Sequence, residues 1–421
     1  MQRKLSELLT PFSIMGALTA LFLLMGRWSP FRPEINWDEL IIFPLYIELR
    51  LYLIATMLVC GLSFAHRLPR GAGRLSLSFL CLMLFLFIGI ASGFGTPQPG
   101  VLLEYFARKQ ADFILLALAL PVIYFYSASR DFNREVWRWM YIVTVTLLII
   151  GLVSLVQGVE DGRLAILKGG PNIYGRLMGL LVIAAAARYF TEKRLITPSG
   201  IVLALAGLVL LTSGSRGAVA AIAITAALGI FMVGRSPMKV LLLLGAAAFG
   251  MLLILFPPLE VFELIRERYI VLTFEEQYVA YRDVLFDLSL DAIRERFWLG
   301  HGLAGFSAFE PNQVYPHNLV LELWTEFGLV GIMLALVVPT IAILVRVLGS
   351  NSEDHRNTFA FIFLLAATMF SGDFYDSRGV YVFAFLILGQ ARYRIQPAKA
   401  RPSGPRAMSG QVPAPTEGRS S

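Results

Sequence analysis

One histidine in this chain stands where a base could act. His317 lies in Tyr315-Pro316-His317-Asn318, directly before a long apolar run. An imidazole has an ordinary pKa of about 6.5, so His317 could accept a proton near neutral pH. Asn318 supplies an amide that can orient a neighbour or bind a hydroxyl. The residue types alone favour a plainer interpretation, a histidine that only makes a hydrogen bond at a helix end.

Arg216 could bind an anion. It follows Thr212-Ser213-Gly214-Ser215, a stretch of small residues between two apolar runs. Small residues let a phosphate approach the backbone, and a helix that starts here offers free N–H groups and a favourable dipole. The alternative is an ordinary turn whose arginine reaches lipid head groups.

Two further arginines could join Arg216 at a diphosphate. Arg282, in Tyr281-Arg282-Asp283, could bind two phosphate oxygens at once, although a salt bridge to a nearby carboxylate is the commoner role for a lone arginine. Arg176 lies just inside the end of an apolar run. A charge there is expensive and usually faces a cavity, which favours a functional role.

Two glutamates follow His317 at helical spacing, Glu322 and Glu326. Buried carboxylates need partners, and we expect an arginine of the same cavity to be that partner. His301 lies in the glycine-rich Gly300-His301-Gly302, for which the pattern indicates no role. That loop is not a dinucleotide-binding motif, because no strand precedes it.

The composition indicates the fold that must position these residues. Of the 421 residues, 57% are hydrophobic and only 15% are charged. Repeated apolar runs of about 18 residues or more indicate membrane-spanning helices, so we expect an all-α, polytopic helical bundle. About twelve apolar runs are expected to span the membrane. They lie near 11–27, 47–65, 76–94, 111–128, 139–157, 173–190, 199–213, 217–233, 238–256, 318–345, 358–372 and 377–393.

Lysine and arginine predict how the bundle is oriented. Alternate short loops are basic, as at Arg67/Arg70/Arg74 and Arg130/Arg134/Arg138, which indicates that both termini are cytoplasmic. We therefore expect a polytopic domain over 1–395 and a disordered cytoplasmic tail over 396–421. The net charge of +7 reflects this sidedness and not a nucleic-acid surface.

The same orientation places the polar segment 257–316 outside the cytoplasm, as one large loop. Within it, Leu285, Leu288, Ala292 and Ile293 are spaced like the apolar stripe of an amphipathic helix. Such a helix would lie along the membrane surface.

No metal or cofactor site is predicted. Cys60 and Cys81 both fall in apolar spans, and the sequence contains neither a CxxC nor an HExxH motif.

Three patterns together resemble the O-antigen ligase and polymerase superfamily of bacterial membrane glycosyltransferases. They are the turn 212–218, the stretch from Arg282 through Trp298-Leu-Gly-His301-Gly to Phe306, and the stretch His317-Asn-Leu-Val-Leu-Glu322 through Glu326 to Gly331. The third pattern is the most specific, and it follows directly after the large external loop. His301 departs from the family pattern, which usually has a small or apolar residue there.

The resemblance implies transfer of a glycan from undecaprenyl diphosphate to an acceptor hydroxyl at the periplasmic face of the bacterial inner membrane. His317 would then be the general base. Arg216, Arg282 and Arg176 would hold the diphosphate, and Asn318, Glu322 and Glu326 would support them. In a ligase the acceptor is a sugar of the lipid A core, and the step needs neither a metal nor a cofactor.

Three alternatives stay open. A polysaccharide polymerase or a protein O-oligosaccharyltransferase would use the same donor chemistry with another acceptor, which the sequence does not identify. A twelve-span secondary transporter is the third, although the two halves show no repeat and the long loop is external.

Overall fold

The computed structural model describes residues 10–24, 41–42, 47–69, 71–95, 97–157, 164–166, 170–192, 194, 196–233, 260–275, 281–312, 314–348 and 355–394. The architecture is all-helical apart from two two-residue strands, β1 (Ile41–Ile42) and β2 (Ile47–Glu48), which pair antiparallel. This confirms the predicted all-α class.

The helices follow the apolar runs of the sequence. In the first half they are α1 (Pro11–Leu24), α2 (Leu49–Ser63), α3 (Leu77–Ser92), α4 (Leu103–Tyr126), α5 (Arg130–Gln157), α6 (Pro171–Tyr189), α7 (Pro198–Thr212) and α8 (Arg216–Val233). The second half contains α9 (Glu260–Arg266), α10 (Arg282–Glu295), α11 (Leu319–Ile332), α12 (Val338–Leu348), α13 (Arg356–Thr368) and α14 (Arg378–Arg394). A π-helical segment, Glu267–Glu275, follows α9, and a shorter one, Met333–Val337, joins α11 to α12.

Each predicted span except 238–256 overlaps helical residues, and 318–345 covers α11, the π-helical segment Met333–Val337 and most of α12. The predicted span 238–256 lies outside the described residues. Three helical stretches are long and apolar enough to cross a membrane, namely Leu103–Tyr126, Arg130–Leu155 and Leu319–Leu348. The other apolar helices within the described residues are shorter. The structure thus describes helices that are long and apolar enough to cross a membrane, without confirming the predicted number of spans. The predicted tail, 396–421, is outside the described residues.

The predicted amphipathic helix is present as α10. Its buried positions include Leu285, Ala292 and Ile293, while Asp287 and Asp291 are exposed, as the apolar stripe predicts. Helix α10 packs on α11. The helix is therefore attached to the bundle through the span that begins after His317.

An aromatic cluster packs α3, α4 and α11 against the connection between α13 and α14. Phe113 of α4 stacks on Phe374 with ring centroids 4.7 Å apart, and Phe85 of α3 meets Phe327 of α11 edge-on at 5.0 Å. These rings join α3, α4 and α11 to the connection between α13 and α14, residues 369–377, which we call the α13–α14 loop. Aromatic pairs of this geometry contribute about 0.5–1.5 kcal/mol each beyond the area they bury.

Candidate functional site

His317 occupies a strained backbone position at the start of α11. Its φ is 56°, in the left-handed region that is uncommon for residues other than glycine. Its ring lies beside that of Tyr315, with centroids 4.4 Å apart, and the side chain is half-buried. Strain of this kind collects at functional sites, where the surrounding structure maintains it.

Two charges of opposite sign act on His317. Burial lowers the pKa of the imidazole, and the positive charge of Arg282 lowers it further, while Asp373 opposes this shift. The ring is therefore neutral at neutral pH, which is the state that can accept a proton. Asp373 belongs to the α13–α14 loop, and no motif in the sequence singled it out.

Asn318 fixes this arrangement. Its Oδ1 accepts hydrogen bonds from the backbone N–H of Val320 at 3.0 Å and of Leu321 at 3.2 Å, which caps α11. Its Nδ2 donates to the carbonyl of Met369 at 3.0 Å, at the start of the α13–α14 loop. The amide oxygen and the amide nitrogen of Asn318 thus position His317 and the loop that carries Asp373.

The predicted turn between α7 and α8 is present, with Arg216 as the first residue of α8. The π-helical segment after α9 packs on this turn, because Arg268 Nε donates to the carbonyl of Gly214 at 3.3 Å and the Tyr269 hydroxyl to that of Leu211 at 3.2 Å. Gly217, in the first turn of α8, lies against the α13–α14 loop, since a Cβ on it would lie 2.4 Å from Phe370 Cβ. The π-helical segment and the α13–α14 loop thus both pack near the residues that present Arg216.

The guanidinium of Arg282 lies within electrostatic range of two others. Burial lowers the pKa of Arg282, and the charges of Arg216 and Arg268 lower it further. Each arginine comes from a different element, and like charges in a partly buried site repel one another. Such a cluster is typical of a site that binds a multiply charged anion. The sequence predicted Arg216 and Arg282, but nothing in it separates Arg268 from its neighbour Arg266.

Arg176 is engaged elsewhere. Its side chain is buried, and Nη2 donates to the carbonyl and, at 3.0 Å, to the hydroxyl of Ser371. The same guanidinium lies 3.5 Å from the carbonyls of Ala367 and Asp376. These contacts organise the α13–α14 loop and do not bring Arg176 to the other arginines. Its role as a diphosphate ligand stays a prediction.

Glu322 and Glu326 do not pair with an arginine, so that expectation was wrong. Both carboxylates bond to Lys109 of α4, Glu326 at 2.5 Å, and all three side chains are buried. One Oε2 atom on each glutamate has no hydrogen-bond partner among the described residues. The cluster joins α4 to α11, because Lys109 contacts both Glu322 and Glu326, which lie one turn apart on the same face of α11.

His301 does not belong to this site. It is buried, and its Nε2 lies 2.8 Å from the carbonyl of Ala292 at the end of α10. The ring also packs edge-on against Phe309 at 4.9 Å. Its contacts are those of a side chain that holds the end of α10.

No metal centre emerges from the described part of the chain, where no three His, Cys, Asp or Glu side chains are grouped as ligands. Cys60 and Cys81 are both free thiols. The described residues of the site include an imidazole whose pKa is lowered and guanidinium groups whose charges act on one another.

Comparison with known proteins gives a match to a family model. No curated protein matches this chain. A family model described as O-Antigen ligase matches residues 201–336, a range that contains Arg216, Arg268, Arg282 and His317 together with Glu322 and Glu326. Lys109, Arg176 and Asp373 lie outside it. The match confirms the resemblance of this part of the chain to the O-antigen ligase superfamily, whose members include ligase- and polymerase-type membrane enzymes.

Proposed function

We propose that this protein is an O-antigen ligase. It transfers a glycan from undecaprenyl diphosphate to a hydroxyl of the lipid A-core oligosaccharide, with inversion at the anomeric carbon. The observation that carries the proposal is that the charge of Arg282 acts on the imidazole of His317, while the charges of Arg216 and Arg268 act on Arg282. An anion site next to a base is the combination that this transfer requires.

The step balances without a further reactant. The acceptor oxygen forms a bond to the anomeric carbon, and its proton passes to His317. The bond from the anomeric carbon to the phosphate oxygen breaks, and undecaprenyl diphosphate leaves with one more negative charge. The guanidinium groups stabilise that charge, so the proposed step uses no metal ion and no cofactor.

The proposal includes a location. In it the chain spans the bacterial inner membrane about twelve times, following the apolar runs. Both termini are cytoplasmic, and the segment 257–316 with the site is periplasmic. The membrane-crossing helices and the family match support a membrane protein.

Purified protein in vesicles tests the acceptor. It is supplied with a defined undecaprenyl-diphosphate glycan and, in parallel, with lipid A-core, with a second lipid-linked repeat unit and with an acceptor protein. Covalent transfer to lipid A-core alone is the expected result. Growth of the lipid-linked chain would instead identify a polymerase, and transfer to the protein an O-oligosaccharyltransferase.

The pH dependence of kcat/KM should report His317 in the free enzyme. Because burial and Arg282 lower the pKa of the imidazole, activity should persist below the ordinary value of about 6.5 and fall only at lower pH. Arg282→Gln removes a charge that lowers this pKa, so the acid limb should move to higher pH. Asp373→Asn removes a charge that raises it, so the limb should move to lower pH. An acid limb that is identical in both variants would exclude His317 as the group that titrates.

Arg268→Gln should raise the KM for the donor by about tenfold, as expected for a lost hydrogen bond to a charged group, and should change kcat less. The matched control is Arg266→Gln, two residues earlier at the end of α9, which should leave the KM for the donor unchanged. Titration calorimetry with an undecaprenyl-diphosphate glycan measures binding directly.

The double variant Arg216→Ala with Arg282→Ala tests the diphosphate site as a whole. Donor binding that survives both substitutions together would contradict this site.

A further inference from the structure

A break in α11 provides a second, independent feature. At Gly328 the backbone leaves the helical region, with φ 65° and ψ −166°. The break lies inside the apolar stretch Leu319–Leu348. Backbone polar groups exposed there have no water to bond with, so another part of the protein must satisfy them.

The segment 297–302, directly after α10, supplies those partners, and we call it the re-entrant segment. The carbonyl of Phe297 accepts from Leu329 N at 2.9 Å and that of Trp298 from Val330 N at 3.3 Å. In return, His301 N donates to the carbonyl of Thr325 at 2.8 Å and Gly302 N to that of Glu326 at 2.7 Å. The re-entrant segment and α11 thus pair on both sides of the break.

Glycine makes this close pairing possible. A Cβ on Gly328 would lie 2.2 Å from the carbonyl carbon of Trp298, and one on Gly300 would lie 2.5 Å from that of Glu326. Both glycines also have left-handed φ values, 65° and 69°. A side chain at either position would both clash and strain the backbone.

The re-entrant segment presents large apolar side chains outward. Phe297, Trp298 and Leu299 are 41%, 66% and 75% exposed, respectively. Phe297 also meets the ring of Trp324 edge-on at 5.3 Å, and the Trp324 Nε1 donates to the Phe297 carbonyl at 3.2 Å. Beyond the break, Val330 of α11 is exposed as well, so the apolar surface continues along the span.

The position of the break identifies what covers this surface. The stretch Leu319–Leu348 has 30 residues. At about 1.5 Å per residue it is about 45 Å long, and the hydrocarbon core of a bilayer is about 30 Å thick. If the stretch is centred on that core, it projects about 7.5 Å at each end, so Gly328, about 14 Å from the end that carries His317, lies about 6 Å inside the edge of the core, near the membrane–water interface. Tryptophan and other aromatic side chains are enriched at this depth.

We propose that Phe297, Trp298 and Leu299 insert into the lipid leaflet on the side of the membrane where His317 lies. They thereby anchor the segment between α10 and α11. The occupant of this surface is the bilayer itself, because the surface is continuous with the exposed face of a membrane-spanning helix. The anchor fixes the end of α10 opposite to the end that carries Arg282. This inference does not depend on the reaction that the protein catalyses.

Nitroxide accessibility tests the anchor. In a background with Cys60→Ala and Cys81→Ala, a spin label is attached in turn to Trp298→Cys, Leu299→Cys and, as the control, Asp287→Cys on the exposed face of α10. The protein is reconstituted in phosphatidylcholine–phosphatidylglycerol vesicles. Labels at 298 and 299 should gain accessibility to oxygen and lose accessibility to a water-soluble nickel complex relative to the label at 287.

Two results would overturn the proposal. Nickel accessibility at 298 and 299 equal to that at 287 would show that the segment faces water. Spin–spin broadening that disappears on dilution with unlabelled protein would show that a second copy of the chain covers the surface. Two labelled positions keep the test decisive if one substitution prevents folding.

Discussion

Replacing His317 with alanine is expected to lower kcat for glycan transfer by about 10²- to 10⁴-fold, the usual contribution of a positioned general base. The KM for the donor should change little, because the proposed diphosphate ligands are arginines from other elements. Single-turnover transfer in vesicles separates this chemical step from donor binding.

The control experiments separate chemistry from folding. His317 has a left-handed backbone, which asparagine tolerates better than alanine, so His317→Asn should lose activity equally while straining the backbone less. His355→Ala changes a histidine at the opposite end of α13 from the α13–α14 loop and should leave kcat unchanged. Full activity of both His317 variants would contradict the assignment of the base.

Lys109→Met is expected to have the largest effect on stability. It leaves the carboxylates of Glu322 and Glu326 buried without their cation, a change that typically costs about 3–5 kcal/mol. Unfolding by dodecyl sulfate in mixed micelles, followed by circular dichroism, measures the loss.

A matched rescue tests the cause. Adding Glu322→Gln and Glu326→Gln to Lys109→Met removes the unpaired charges and should restore most of the stability. Arg294→Gln is the control, because its pair with Asp291 at 2.7 Å is exposed and should contribute little. If Lys109→Met were as stable as Arg294→Gln, the buried cluster would not hold α4 to α11.

The sequence was sufficient to predict local features of the fold. Apolar length predicted the helices, and the 3.6-residue spacing around Leu285 and Ala292 predicted α10. The small residues around Gly214 predicted the turn that presents Arg216. These features depend on neighbouring residues, which is why a single sequence contains them.

Long-range pairings could not be predicted in this way. Lys109 and Glu322 are 213 residues apart, and only the packing of α4 near α11 brings them together. The cost of a buried arginine indicates that Arg176 needs partners, and the structure supplies them as carbonyl groups of Ala367 and Ser371, almost two hundred residues away. The types of these residues indicate that partners exist, and the tertiary structure decides which partners they are.

Asp373 and Arg268 were missed for a related reason. Neither belongs to a motif, and each acts through its position relative to residues that do. Asp373 reaches His317 because Asn318 and Arg176 hold the α13–α14 loop. Arg268 lies at the turn before Arg216 because its Nε donates to the Gly214 carbonyl, and its charge acts on Arg282.

The linkage in the reaction product is the most direct test of the proposed glycan transfer to lipid A-core. Purified protein is reconstituted with a defined undecaprenyl-diphosphate glycan and lipid A-core, and the linkage in the product is determined by nuclear magnetic resonance. We expect a covalent glycan–core product whose anomeric configuration is inverted relative to the donor, and about 10²- to 10⁴-fold slower formation of it with His317→Asn. A product with retained configuration, or glycan flux across the vesicle membrane without any covalent product, would contradict this expectation.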